Sequence, residues 1–314
     1  MNQETLFFSV IIPTFNRPEQ LKKCLNSLVK LNYPSNCYEV IVIDDGGSTE
    51  LNSILGPFFS QLDLKLYRQS NSGPACARNT GITYAKGEFL AFTDDDCTPD
   101  SNWFNALNQQ FLKTPNALVG GCIINALNKN IYSISSQLLV DYIYSYYHEE
   151  DTDSRQTRFF TSNNLAVKAE IFCEMGGFDT TFPLAAAEDR EFCDRWLQKG
   201  YQMVYAKNAL VYHSHNLTLR KFWQQHFSYG RGAIWFNQSR ALRGLDAIKP
   251  EPKQFYQDLL RYPYVRGFGY RSPIISVLFS ISQIAHSAGC FWERKFPLPK
   301  KEKITCLNSQ AKSL

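Results

Sequence analysis

Three consecutive carboxylates, Asp94, Asp95 and Asp96, close the segment EFLAFTDDD that begins at Glu88. Phe89 to Phe92 form an apolar run of strand length, as in a sheet buried on both faces. A strand leaving the core delivers its last residues to the carboxyl edge of the sheet, where open α/β folds place their ligands. Adjacent anions repel one another there unless something positive neutralises them. A hard divalent cation does so through carboxylate oxygens. The plainer alternative is a solvated acidic turn, since Asp is common after strands.

Other chemistry-bearing residues recur along the chain. The run Val40 to Ile43 also ends in acid, at Asp44 and Asp45. Glu188 and Asp189 stand at the start of a predicted helix. Phe192, Cys193, Trp196 and Leu197 follow Asp189 at helical spacing, so Asp189 heads the buried stripe and points inward. Glu188 lines up with Glu191 and Arg195, as well as Phe192, on the flank. The helix dipole favours an anion at this end, so capping is the competing role for both. Capping does not explain why one of them points inward. His213 and His215 are two apart in the strand pattern LVYHSH and project from one face, where they could share a ligand. A lone histidine there would read as a satisfied core residue.

The elements that must position these groups alternate in short units. Phe8 to Ile12 is a buried strand closed by Pro13, and Pro18 suits the first turn of a helix carrying Leu21, Leu25 and Leu28. Strands follow at Val40 to Ile43, Leu64 to Tyr67, Phe89 to Phe92 and Leu118 to Ile124. Helices lie between them near 51–59, from Ser72-Gly73-Pro74 to Gly87, and over 101–112. Such alternation predicts a parallel sheet covered on both faces. The second half is less regular. A helix over 131–147 carries Tyr142, Tyr144, Tyr146 and Tyr147, a spacing more typical of core than of a ring-stacking platform. Glu149 to Arg158 reads as a mobile loop. Phe222 to Phe236 is an aromatic-rich helix with Arg231 between glycines, and Lys249-Pro250-Glu251-Pro252 marks a linker. Beyond it, Pro273 to Phe291 is a long apolar run that polar residues interrupt too often for a spanning helix. Its basic flanks, Arg271, Arg294 and Lys295, suit an amphipathic helix on a membrane surface. A helix packed on the main domain suits them equally.

The chain has 314 residues, 44% hydrophobic and 20% charged, the balance of an ordinary globular protein. Its formal charge of +4 is too mild to suggest nucleic acid, and none is expected as a partner. From Pro250 onward ten Lys/Arg stand against four Asp/Glu, net +6, which leaves net −2 for the first 249 residues. That asymmetry suggests a tail meeting an anionic surface. Nine cysteines without a C-x-x-C pair read as reduced thiols in a cytosolic protein, not as a disulfide framework or zinc site. The first residues have no basic n-region, so no signal peptide is expected.

In order along the chain, these motifs resemble glycosyltransferase family 2, inverting enzymes of the GT-A fold that use nucleotide sugars. The likeness is carried by Pro13-Thr14-Phe15-Asn16-Arg17, Ile43-Asp44-Asp45-Gly46, Gly73 with Ala77-Arg78-Asn79, and Asp94 to Asp96. Gly176-Gly177-Phe178-Asp179, Glu188-Asp189, and His213 through Tyr229-Gly230-Arg231-Gly232 continue it. The resemblance implies an α/β fold of GT-A type: a Rossmann-like, mainly parallel sheet covered by helices on both faces, with a C-terminal helical extension. It implies a glycosyltransferase domain over 1–240, with a nucleotide-sugar half to about 125 and an acceptor half beyond, and a basic extension over 250–314.

The same resemblance implies roles. Asp45, with Asp44, would bind the nucleotide base, and Pro13, Thr14, Asn16 and Arg17 would line the nucleoside pocket. Arg78, with Asn79, would face the base or diphosphate. Asp94 and Asp96 would form the D-x-D pair, with Asp95 between them. Asp96 would hold a divalent metal, Mn2+ or Mg2+, together with His213 and His215. Asp189 would be the general base, with Glu188 and Arg231 contacting substrate. The expected partners are a nucleotide-sugar donor, with UDP favoured, and a glycan or lipid-linked acceptor hydroxyl. The expected location is cytoplasmic, peripheral on the inner face of the cell membrane. Two departures stand out. Two glycines rather than one precede Ser48, which is therefore left without a role, and three aspartates leave the D-x-D register open by one. Rivals are weaker. A nucleotidyltransferase would need a basic glycine-rich first loop, and an oxidoreductase would need G-x-G-x-x-G after the first strand. A carbohydrate-binding subunit that had lost the chemistry would lack the acids at 96 and 189.

Overall fold

The computed structural model describes residues 4–149 and 159–302, so most of the polar stretch 149–158 lies outside the described residues. The first half runs β1 (Phe8–Thr14), α1 (Pro18–Leu28), β2 (Tyr38–Asp44), α2 (Asn52–Leu55), β3 (Leu64–Arg68), α3 (Pro74–Ile82), β4 (Phe89–Phe92), β5 (Cys97–Pro99), α4 (Trp103–Lys113) and β6 (Leu118–Asn125). The second half adds α5 (Ile131–Tyr144), β7 (Leu165–Lys168), α6 (Ala169–Glu174), α7 (Glu188–Gln198), β8 (Met203–His213), α8 (Leu219–Leu242), α9 (Lys253–Val265) and α10 (Ser272–Lys295).

All eight strands form one sheet in the order β3-β2-β1-β4-β7-β6-β8-β5. The apolar runs of β1, β2 and β4 are buried along their whole length, which is why they sit at its centre. Alternate residues feed two cores. Phe8, Val10 and Ile12 pack with Leu21, Leu25 and Phe104 on one face. Ile11, Ile41 and Ile43 pack with Phe172, Phe178, Phe192 and Trp196 on the other. Four of the seven strand pairings are parallel, so the expected mainly parallel sheet is found with an antiparallel insertion. The insertion is β7. It starts beside Phe92, at the carboxyl edge, and must run back against β4.

The C-terminal helices pack on this body. Gly230 of α8 and Gly289 of α10 mark a close crossing: a Cβ at Gly230 would lie 1.9 Å from the His286 carbonyl oxygen, and one at Gly289 2.0 Å from that of Phe227. Ile275 and Phe279 of α10 join Phe255 and Leu259 of α9 and Leu138 and Tyr142 of α5 in a third apolar cluster. By length and composition alone, Gly269–Lys295 is long and apolar enough to cross a membrane. Its buried side, Ile275, Leu278, Phe279, Ser282 and Ala285, faces protein, while Ile274, Val277 and Ile284 are each more than half exposed.

Candidate active site

Strand register brings the acids together. Ile11 of β1 pairs with Phe92 of β4, so Thr14 and the aspartates leave the sheet side by side. The Thr14 hydroxyl donates to Asp95 Oδ2 at 2.7 Å. Burial pushes the Asp95 carboxyl up to about 6, against the pull of Arg17 and Thr14. Arg17 Nη1 lies 3.2 Å from Asp95 and 3.1 Å from Asp96. Arg78 Nη2 donates to Asp94 Oδ1 at 2.6 Å. Arg17 is thus shared by Asp95 and Asp96, while Asp94 has Arg78.

Asp96 meets β8 because β5 and β8 are antiparallel with Cys97 opposite His213. His213 Nε2 lies 3.3 Å from Asp96 Oδ1. Burial would raise the Asp96 carboxyl, but the hydrogen bond and charge of His213 hold it at about 2. Burial likewise opposes charge on His213, and Asp96 outweighs it to raise that imidazole's pKa. The His215 ring lies 5.3 Å from that of His213 and is pushed down to about 4 by burial and by His213. It stays neutral, with a lone pair to offer.

These groups fit a divalent cation. Asp96, Cys97 and His213 bring ligand atoms within 4.8 Å of one another. Burial pushes the Cys97 thiol far up, so it stays protonated and is a poor ligand. Carboxylate with imidazole is a donor set that suits Mn2+. Charge agrees: six carboxylates (Asp45, Asp94, Asp95, Asp96, Glu188 and Asp189) line a crevice of about 460 Å³ with only two guanidiniums, Arg17 and Arg78.

The acids of α7 enter the same crevice from a pressed turn. Ala187, at φ +74°, immediately precedes the helix, and a Cβ on Gly232 of α8 would lie 2.7 Å from the Ala186 carbonyl oxygen. Asp189 Oδ1 accepts the Arg190 N–H at 2.8 Å and Oδ2 that of Ser162 at 3.3 Å. Burial raises its carboxyl in spite of both bonds. Glu188 lies 3.8 Å from Arg78 Nη1, and burial with the adjacent Asp189 charge pushes it up to about 7. Glu188 Oε2 and Arg78 Nε and Nη1 have no hydrogen-bond partner among the described residues. Buried polar atoms of this kind call for a polar ligand.

The flank on which the helical wheel places Glu188 is itself buried. Glu188 and Glu191 are both buried, at 6% and 2% exposure. Arg195 pairs with Glu191 at 2.7 Å and donates to the Gly177 carbonyl at 2.6 Å, so this flank packs on the Gly176–Asp179 turn. Spacing alone could not reveal a second buried face.

The family model for "Glycosyl transferase family 2" matches residues 9–176, more than half of the chain. The chain belongs to glycosyltransferase family 2. It is 28% identical to glycosyltransferase AglE of Haloferax volcanii over 81% of this chain and 86% of that protein. Chondroitin synthase of Pasteurella multocida is 31% identical over 65% of this chain, which spans only 24% of that relative's length. Among solved structures, the mannosyltransferase PcManGT of Pyrobaculum calidifontis, in complex with GDP-Man and Mn2+, is similar at TM-score 0.64 and 17% identity, over 93% of this chain and 88% of that one. Staphylococcus aureus TarS with UDP-GlcNAc gives 0.52 and 16%, over 92% of each chain. Both likenesses agree with the GT-A fold, and the protein is a glycosyltransferase.

The other residues singled out in this family 2 glycosyltransferase divide into liners and supports. Pro13, Thr14, Arg17, Asp45 and Arg78 line the crevice with the acids. Asp45 accepts the N–H groups of Ser72 at 2.9 Å and Gly73 at 2.8 Å, capping the approach to α3. Asp44 instead accepts the Gly47 N–H at 2.8 Å, and Asn16 that of Ser48 at 2.7 Å, so both shape turns beside the crevice. Asn79 exchanges hydrogen bonds of 2.8 and 3.0 Å with the Phe178 backbone, which docks α3 on the Gly176–Asp179 turn.

Arg231 does not join them. Its Nε donates to Glu293 Oε2 of α10 at 2.6 Å, and the Trp235 indole donates to the other carboxylate oxygen at 2.9 Å. Gly230, Arg231 and Gly232 thus serve packing: the first approaches α10, the second pairs with it, and the third admits the Ala186 turn. Ser162, Asn163 and Gln225 line the crevice without having been singled out from sequence. Their motifs carry no charge or repeat, and only the strand start at Leu165 could have flagged the first two.

Proposed function

We propose that the protein is an inverting, metal-assisted transferase that moves a sugar from a nucleotide diphosphate, UDP in the first instance, to an acceptor hydroxyl. One observation carries this reading: the aspartate triplet and the Glu188–Asp189 pair share one crevice, joined through Arg78. Asp45 and the Pro13–Thr14 edge receive the nucleoside, and Arg17 and Arg78 receive the diphosphate. Asp94 and Asp96 act as the D-x-D pair, with Asp95 as their buried support on Thr14. Asp96 and His213, with His215, hold Mn2+ or Mg2+, which when bound would offset charge on the departing diphosphate. Asp189 takes the acceptor's proton as the hydroxyl attacks the anomeric carbon from the face opposite the leaving group. The half-exposed Ile274, Val277 and Ile284, with Arg271, Arg294 and Lys295, rest on an anionic membrane surface at the cytoplasmic face.

The test is a thermal-shift panel of UDP and GDP with and without Mn2+, on the parent and on Asp96→Ala. A nucleotide at about a hundred times its Kd adds roughly 2.7 kcal/mol of stability. The shift should need Mn2+ in the parent and lose that dependence in Asp96→Ala. A parent indifferent to every nucleotide, or a retained anomeric configuration in the first-formed product by NMR, would sink the reading.

A further inference from the structure

A second cavity, about 570 Å³, adjoins the crevice, and Ile123, Asn125 and Gln137 line both. It lies between α5, the end of β6 and the turn that joins α9 to α10. Two guanidiniums line it, Arg266 and Arg271, and neither has a salt-bridge partner among the described residues. The Arg266 guanidinium lies 5.7 Å from the Tyr262 ring, and Arg271 Nη1 donates to the Asn128 carbonyl at 3.1 Å, so each is anchored while keeping donors in reserve. One carboxylate, Asp141, faces them. Gln137 donates to it at 2.9 Å, and burial raises its carboxyl to about 6 against the pull of Gln137 and Arg266, so near neutral pH it still carries charge and offsets one of the two guanidiniums.

The rest of the lining is largely aromatic, with Tyr144, Tyr205 and Tyr262, and the Tyr144 hydroxyl is already engaged by the Thr161 N–H at 2.9 Å. The chain next to the two arginines is apolar and outward. Val265 and Tyr270 are 79% and 82% exposed, and Tyr264 and Ile274 are more than half exposed. A basic pocket flanked by such residues suits an anion carried on a hydrophobic tail.

We infer that this second cavity is the acceptor subsite, and that the acceptor bears a phosphate which Arg266 and Arg271 bind by charge-assisted hydrogen bonds. This inference rests on the reading of the first crevice as the donor site, since the shared wall at Gln137 is what places an acceptor hydroxyl near Asp189. The phosphate can belong to a lipid or to a soluble sugar phosphate, and the exposed apolar flank favours the lipid.

The experiment first saturates the donor site with UDP and Mn2+, then titrates farnesyl phosphate or glucose 1-phosphate by calorimetry. It uses the parent, Arg266→Gln with Arg271→Gln, and Arg294→Gln with Lys295→Gln as a charge-matched control outside the cavity. The cavity variant should lose roughly tenfold or more in phosphate affinity, with its UDP-induced thermal shift unchanged, and the control should behave as the parent. Farnesyl phosphate binding alone assigns the lipid source, and glucose 1-phosphate binding alone assigns the soluble one. Equal binding of both upholds the phosphate site with its carrier unread by the protein. No phosphate binding to the parent, or equal loss in the control, overturns the inference. Failure of UDP itself to stabilise the parent would instead remove the donor-site reading, and is seen before any phosphate is added.

Discussion

Glu188 and Arg78 face one another 3.8 Å apart inside the crevice, and each keeps buried polar atoms without a hydrogen-bond partner among the described residues. The guanidinium that pairs with Asp94 thus also reaches the acids of α7. One side chain therefore links the Asp94 side of the crevice to the α7 side.

That coupling gives Glu188 a stability signature. Burial raises its carboxyl from the ordinary 4.5 to about 7, so between those values the folded protein holds a proton that the unfolded chain has released. Stability contributed by this group is therefore present at low pH and lost as pH rises through that window. Glu188→Gln has no such loss. Its Tm relative to the parent should increase from pH 5 to pH 8, and a gap that stays flat would show that Glu188 is not buried as described.

Asp189 should dominate the chemistry. Asp189→Asn keeps the shape but takes no proton, and loss of a general base costs about 10²–10⁴ in rate. UDP affinity should hold. Because burial raises the Asp189 carboxyl above the ordinary 3.8, the acid limb of kcat/KM should fall at a pH above that value. An active Asp189→Asn beside a dead Glu188→Gln would reverse the assignment.

Arg231 should matter to folding and not to donor binding. Its partner Glu293 has a side chain 1% exposed, and breaking a buried pair by removing one member costs about 3–5 kcal/mol. Arg231→Met should lower Tm strongly while the folded fraction keeps its KM for donor. A raised KM with parental Tm would restore Arg231 to the substrate site.

Gly232 tests the pressed turn. An added methyl meets the Ala186 carbonyl at 2.7 Å and must shift the segment that presents Glu188 and Asp189. Displacements near 1 Å can cost about 10² in rate. Gly232→Ala should lower kcat while UDP binding, proposed above for the β1, β2 and α3 side of the crevice, is kept. Parental kcat would show that the turn yields without moving the acids.

What could be read from sequence was what local pattern determines. The runs Val40 to Ile43 and Phe89 to Phe92 are apolar at every position, so their burial and the edge position of the acids followed directly. Asp96 was expected to share a metal with His213 and His215, but no local pattern gives their contact, which depends on the register of β5 against β8 across more than a hundred residues. The burial of Glu188 was not legible because a helical wheel assumes one buried face, and the Arg195 bridge to the Gly177 carbonyl buries a second. The partner of Arg231 was not legible either: it lies 62 residues further on, in a segment whose composition suited a surface helix and a packed one equally.

The crossing at Gly230 and Gly289 also decides how this enzyme can be shortened. Backbone meets backbone there, and Ile275 and Phe279 beyond Phe255 complete an apolar cluster begun by α5. A chain stopped near residue 250 would therefore leave an open apolar wound in the body of the enzyme. The outward residues of α10 have to be changed one at a time, because the same helix that offers them is also the back wall of the enzyme.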